Sequence, residues 1–176
     1  MSQKEAVVAT GSLRRRAQWL NRYPTHTIVG LRGNVNSRLQ KLQDNDWNAA
    51  IFAAAGLGRL SIKPEESFNL NWMVPAPAQG TIMVAALEED EYVREACSEF
   101  NHLETEICTS IERKFLNHLE GGCTAPIGAL ARIKDGIISF KGILLSEDGS
   151  KKIEVERDVK LGNHDNFAVE CAEFII

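Results

Sequence analysis

Apolar and polar positions alternate in blocks along the first sixty residues. Ala6 to Thr10 is a short apolar, β-branched run, followed by Gly11 and Ser12, and Leu13 to Tyr23 then has helical composition. The block repeats. Thr27 to Leu31 predicts a second strand, Arg32 Gly33 Asn34 a turn, and Val35 to Gln43 a second helix; Ala49 to Ala53 predicts a third strand and Ala55 to Leu60 a short helical segment. Strands alternating with helices define an α/β unit whose ligands bind at the carboxyl ends of the strands.

The pattern changes beyond residue 60. Ser61 to Asn71 is polar, contains Pro64 and reads as a loop, and Met73 to Gly80 is too proline-rich for a helix and reads as an extended crossing segment. Thr81 to Leu87 predicts a buried strand with no partner inside this chain, of the kind that returns to a domain begun elsewhere. The acids Glu88 to Glu91 suit a helix N-terminus, and that helix is expected to run to about Glu99. Leu103, Ile107, Ile111, Phe115 and Leu119 recur every four positions, predicting an amphipathic helix with a core stripe that ends at Gly121. Glycine pairs end helices at little conformational cost, so Cys123 is expected on an exposed loop. Ile127 to Lys134 and Ile137 to Leu145, joined by Asp135 Gly136, form a hairpin; Lys152 to Lys160 adds a third strand and Asp165 to Ile176 a last helix. This second half is a small α+β domain.

Composition adds a charge asymmetry. The 176 residues carry a net charge of −4, yet residues 1 to 41 hold eight Lys or Arg against the single acid Glu5. Six of those cations are arginines, whose planar fork suits carboxylate and phosphate oxygens. Ser12 is placed to cap the first helix, and Arg14 and Arg15 then sit in its first turn, where cations oppose the helix dipole unless an anion faces them. Thr10, Ser12, Arg14, Arg15, Arg32, Arg38 and Arg59 all fall at or just after strand ends, which points to one anion site; Arg16 and Arg22 read as solvated. Trp19 and Tyr23 read as helix core, not a stacking platform, so nucleic acid is not the expected partner. The four cysteines and four histidines have neither zinc nor disulfide spacing, and Cys97, Cys108 and Cys171 are expected as small buried hydrophobes. No apolar run reaches membrane-span length and Met1 to Glu5 begins nothing like a signal peptide, which predicts a cytoplasmic protein bound to no membrane and no metal.

Five ordered motifs carry a resemblance. Ala9 to Arg16, Leu31 to Leu39, Ala55 to Leu60, Val74 to Gly80 and Glu112 to Gly128 together resemble the porphobilinogen deaminase (hydroxymethylbilane synthase) family of tetrapyrrole and heme biosynthesis. The resemblance implies a transferase that joins four porphobilinogens head to tail with loss of ammonia, on a dipyrromethane cofactor held by a thioether. By position the cysteine is Cys123, with Arg14, Arg15, Ser12 and Thr10 binding the cofactor, and Arg32, Arg38, Arg59 and Gln79 facing porphobilinogen and polypyrrole intermediates.

It further implies three regions. Residues 1–74 correspond to an incomplete, periplasmic-binding-protein-like α/β domain, 75–92 to a crossover strand of an absent first domain, and 93–176 to the cofactor-carrying α+β domain. The family's catalytic aspartate belongs to that amino-terminal domain, which no segment here resembles; no catalytic residue is therefore assigned in this chain, and it is expected to be inactive alone. Ala9, Gly11 and Ala78 stand where the family pattern has Gly, Ser and Gly. The alternatives are a noncatalytic anion-binding module, or one half of a split enzyme that receives its amino-terminal domain in trans.

Overall fold

Three short apolar runs pair edge to edge in the computed structural model, which describes residues 5–62, 64–119 and 126–176. β1 (Val7–Ala9) lies between β2 (Thr27–Val29) and β3 (Ala49–Ala50), parallel to both, with Val7 opposite Thr27 and Val8 opposite Ala49. A central parallel strand is covered on both faces, and Val8 and Ala9 are accordingly buried. Helices α1 (Leu13–Arg22), α2 (Val35–Asp44) and α3 (Ala54–Arg59) each follow a strand, as the blocks of the sequence require.

Helix α1 turns Trp19 and Ala17 into the core. Trp19 packs with Ala6, Val8 and Ile51, with Tyr23, Leu70, Trp72 and Met73 around them, and its indole N–H donates to His26 Nδ1 at 3.2 Å. Gln18 is buried on the same helix because it pairs like a strand neighbour: its Nε2 donates to the Val74 carbonyl at 2.9 Å and its Oε1 accepts from the Val74 amide at 2.8 Å. Gly149, at positive φ, presses so closely on α1 that a Cβ there would lie 2.5 Å from the Ala17 carbonyl oxygen.

The chain divides into two compact units. One contains the described residues of Met1–Val74, Gly122–Gly128 and Ile143–Glu154, the other those of Pro75–Gly121, Ala129–Gly142 and Val155–Ile176. Helices α4 (Glu91–Ser98), α5 (Leu103–His118) and α6 (Phe167–Glu173) belong to the second. Strands β4 (Ile127–Lys134), β5 (Ile137–Leu145) and β6 (Lys152–Lys160) form an antiparallel sheet in that order, with boundaries that match the sequence reading. Asp135 and Gly136 both take positive φ, as a two-residue hairpin turn demands.

Phe115 on α5 centres the second unit's core, edge-on to Phe140, which in turn meets Phe167 on α6. Gly142 makes room for it, since a Cβ there would lie 2.5 Å from the Phe115 ring. Phe115→Ala is expected to lower stability by about 3–5 kcal/mol, read as an earlier urea unfolding midpoint, because the rigid sheet beneath cannot collapse into the void.

Several expectations are corrected. Thr81–Leu87 is neither a strand nor buried: the segment is irregular, and Ile82, Met83, Val84 and Leu87 are exposed. A strand needs a partner for its backbone groups, and neither sheet offers it one. The crossing segment is extended only to Ala76, after which Pro77–Gly80 turns, the Gln79 amide donating to the Ala76 carbonyl at 3.0 Å. Leu103 is exposed, so the core stripe of α5 begins a turn later, and α6 spans only Phe167–Glu173. Cys171 is buried as expected, whereas Cys97 and Cys108 are half-buried. The helix end at Gly121 and the loop bearing Cys123 lie outside the described residues. Among the described residues, no helix is long and apolar enough to cross a membrane.

Candidate functional site

The loop between β1 and α1 is tightly folded. Thr10 is buried, its amide donating to the Val29 carbonyl at 2.9 Å, and its hydroxyl accepts from the Ser12 amide at 3.3 Å. Ser12 Oγ accepts from the Arg15 amide at 3.4 Å, so it caps α1 as its position predicts. Gly11 passes so close to Leu31 that a Cβ would lie 2.5 Å from that residue's carbonyl oxygen. These contacts bring the ends of β1 and β2 together at the helix N-terminus, where free backbone N–H groups favour an anion.

Two arginines stand in that first turn. Arg14 is 8% exposed and its guanidinium donates to the Val74 carbonyl; Arg15 donates to the Ile51 carbonyl at 3.1 Å. Burial, and then the Arg15 charge, pull the Arg14 pKa down from the usual guanidinium range to about 10. Arg15 is lowered too, first by burial and then by the charge of Arg38. The three therefore form one cationic cluster whose members repel one another. Among the described residues no carboxylate is ion-paired to Arg15 or Arg38.

Asn34 caps α2, accepting from the Ser37 amide at 2.9 Å, and Arg38 Nε donates to the Gly33 carbonyl at 2.6 Å, which ties its stem to the β2–α2 turn. Arg32 in that turn is exposed, and Lys41 donates to its carbonyl at 3.0 Å. Arg59 closes α3, also exposed. The cluster thus contains Arg14, Arg15 and Arg38 of the seven residues expected there, with Thr10 and Ser12 shaping its floor, while Arg32 in the β2–α2 turn and Arg59 at the end of α3 are exposed. Gln79 belongs to the other unit, exposed on the turn after Pro77. Arg16 and Arg22 are exposed as expected, and Arg22 also lies 4.9 Å over the Trp72 ring.

Two buried polar residues escape a sequence reading. Gln18 lies one turn after Arg14 on the apolar face of α1, a signal that could have been found; Glu112 hides beside Ile111 on α5, and its partners are far away in sequence. The site holds cations, hydroxyls and the backbone N–H groups of a helix N-terminus, which suits binding of a carboxylate-rich anion.

The fold combines a parallel α/β sheet with a three-stranded antiparallel sheet and helices. Residues 1–95 match the family model described as "Porphobilinogen deaminase, dipyromethane cofactor binding domain", and residues 106–175 match "Porphobilinogen deaminase, C-terminal domain". The chain belongs to the porphobilinogen deaminase family. It is 39% identical over 177 residues to the porphobilinogen deaminase of Campylobacter hominis, covering 98% of this chain and 57% of that protein. It is 42% identical over 155 residues to the chloroplastic porphobilinogen deaminase of Oryza sativa subsp. japonica, covering 86% of this chain and 43% of that protein. For the Chloroherpeton thalassium enzyme the values are 40% over 151 residues, 85% and 48%. The chain spans about half the length of the curated relatives it matches.

Proposed function

We propose that this chain acts as the carboxyl-terminal part of a porphobilinogen deaminase, which in complete form condenses four porphobilinogens into hydroxymethylbilane with release of ammonia. The observation that carries this reading is the Arg14–Arg15–Arg38 cluster at the α1 N-terminus, whose charges are buried or crowded, with no acid among the described residues paired to Arg15 or Arg38. Each pyrrole unit of the substrate and of the cofactor brings two carboxylates, and burying them without cations would be prohibitive.

The residues fit a dipyrromethane group. Arg14 and Arg15 would hold its acetate and propionate groups, with Ser12 and Thr10 orienting the first turn, and Cys123 would carry the thioether. When bound, that group supplies the pyrrole primer to which substrate units are joined. Arg38, Arg32 and Arg59 would neutralise substrate and product carboxylates, and Gln79 would line the cleft hinge. In domain terms, 1–74 is the anion-binding part, 75–92 the crossover toward an amino-terminal domain, and 93–176 the part that carries the cofactor.

A noncatalytic anion-binding module is the second reading. It is favoured by the fact that the arginine cluster forms within the first unit alone. Mixing the purified chain with the amino-terminal domain of a full-length relative separates the two. Ammonia release from porphobilinogen is expected from the mixture and from neither part alone. Porphobilinogen binding by a chain that never yields turnover or a covalent adduct in the mixture would leave only the module.

A further inference from the structure

Glu112 is one of the few buried charged residues, 5% exposed on α5. Its Oε2 accepts from the Ala78 amide at 2.6 Å and its Oε1 from the Ala131 amide at 2.8 Å. One carboxylate therefore joins the crossing turn to strand β4, within a single compact unit. Both bonds are charge-assisted, the stronger class of hydrogen bond.

The turn it holds is strained. Pro77 and Ala78 are the central residues of a turn closed by the Gln79 amide donating to the Ala76 carbonyl, and the type II form of such a turn takes positive φ at its third position. Ala78 supplies it at φ +58, a conformation that costs a residue with a Cβ about 1–2 kcal/mol and glycine almost nothing. Gln79 then folds back, its Oε1 accepting from the Ala76 amide at 3.3 Å.

We infer that Glu112 is a positioning residue: by gripping the Ala78 amide against β4 it keeps the Ala76–Gln79 turn in its strained form and so sets where Gln79 stands. The grip is independent of any enzymatic reading; only the value of placing Gln79 in a cleft hinge rests on that reading. The turn, α5 and β4 enclose an open cleft of about 370 Å³. His102, Glu104 and Cys108 face it from α5 and Arg132 from β4, while the crossing segment contributes no titratable group. Burial raises the pKa of Glu112, against the pull of its two amide donors. As pH falls through that raised pKa, one oxygen becomes an O–H and the grip changes from a charged acceptor to a neutral one.

Amide NMR on the ¹⁵N-labelled chain tests this. In the wild type, the Ala78 and Ala131 amide protons should shift along one shared titration curve, centred above the usual glutamate range. Glu112→Gln should abolish that curve and speed hydrogen exchange at Ala78 and Gln79 by about tenfold or more. Ala78→Gly in the Glu112→Gln background should recover most of the protection at the Gln79 amide, which closes the turn onto Ala76, because glycine keeps the turn without the grip, while the residue-78 amide, having lost its acceptor, stays fast. A merely structural glutamate would not be rescued there. Separate titrations at Ala78 and Ala131, unchanged exchange in Glu112→Gln, or absence of glycine rescue would each overturn the assignment. If Glu112→Gln does not fold, the wild-type titration alone decides. None of these readouts involves porphobilinogen, so their failure leaves the proposed function untouched.

Discussion

Replacing Cys123 by alanine is expected to remove every covalently held pyrrole from the chain and to leave its folding unchanged. The expectation rests on the resemblance for the position and on the other thiols for the contrast. Cys171 is buried in α6, and burial pushes its thiol up to about 11. Cys108 is raised as well, first by burial and then by Glu112 and Glu104. A thiol so protonated at neutral pH is a poor nucleophile. Intact mass with peptide mapping, on chain that has been combined with an amino-terminal domain and porphobilinogen, reads the result. A two-pyrrole increment mapped to the peptide around Cys123, absent from Cys123→Ala, is the expected outcome. An adduct that persists in the variant would move attachment to another residue.

Arg14→Met combined with Arg15→Met should weaken occupancy of the cofactor position by porphobilinogen, used here as a pyrrole dicarboxylate probe, by at least about 100-fold, since each charge-assisted contact contributes about 1.5–3 kcal/mol. Arg16→Met, which alters an exposed cation two residues on, should change it less than twofold. Equal losses would return the cluster to an ordinary basic surface. Calorimetric titration with porphobilinogen measures both. Stability should move the other way. Placing Arg14 at a pKa of about 10 makes its charge unfavourable to the fold by about 3 kcal/mol at neutral pH. The Val74 carbonyl keeps its bond from Gln18 when Arg14 is removed. Arg14→Met alone is therefore expected to fold at least as stably as the wild type at pH 7. The unfolded chain holds the Arg14 proton more tightly than the folded one, so wild-type stability gains from this residue as pH rises through about 10, and the variant lacks that gain. A loss of several kcal/mol at pH 7 in Arg14→Met would make the arginine structural.

Much of this site and fold was legible because it is local. Ser12 and Asn34 cap helices through amides three residues away, and the Asp135 Gly136 turn encodes its own positive φ, so α1, α2 and the β4–β5 hairpin follow from neighbours along the chain. The arginines could be placed near one another because parallel strands must end on the same side of their sheet.

What the local pattern could not reach is whatever depends on a distant partner. Thr81–Leu87 reads as a strand by its apolar run, yet it pairs with neither sheet, and Ile82, Met83, Val84 and Leu87 stand in solvent. Arg14 reads as an anion-facing cation of the first turn, and only the Val74 carbonyl, sixty residues on, shows its guanidinium taken into the interior. Glu112 reads as the polar neighbour of a core stripe until the Ala78 and Ala131 amides converge on its two oxygens. Sequence by itself determined where helices and turns begin and what charge the site carries, since those follow from hydrogen bonds and side-chain chemistry within a few residues. Tertiary structure alone decided which charges are buried, which strand finds a partner and which strained turn is held, because desolvation and pairing depend on groups brought together from far along the chain.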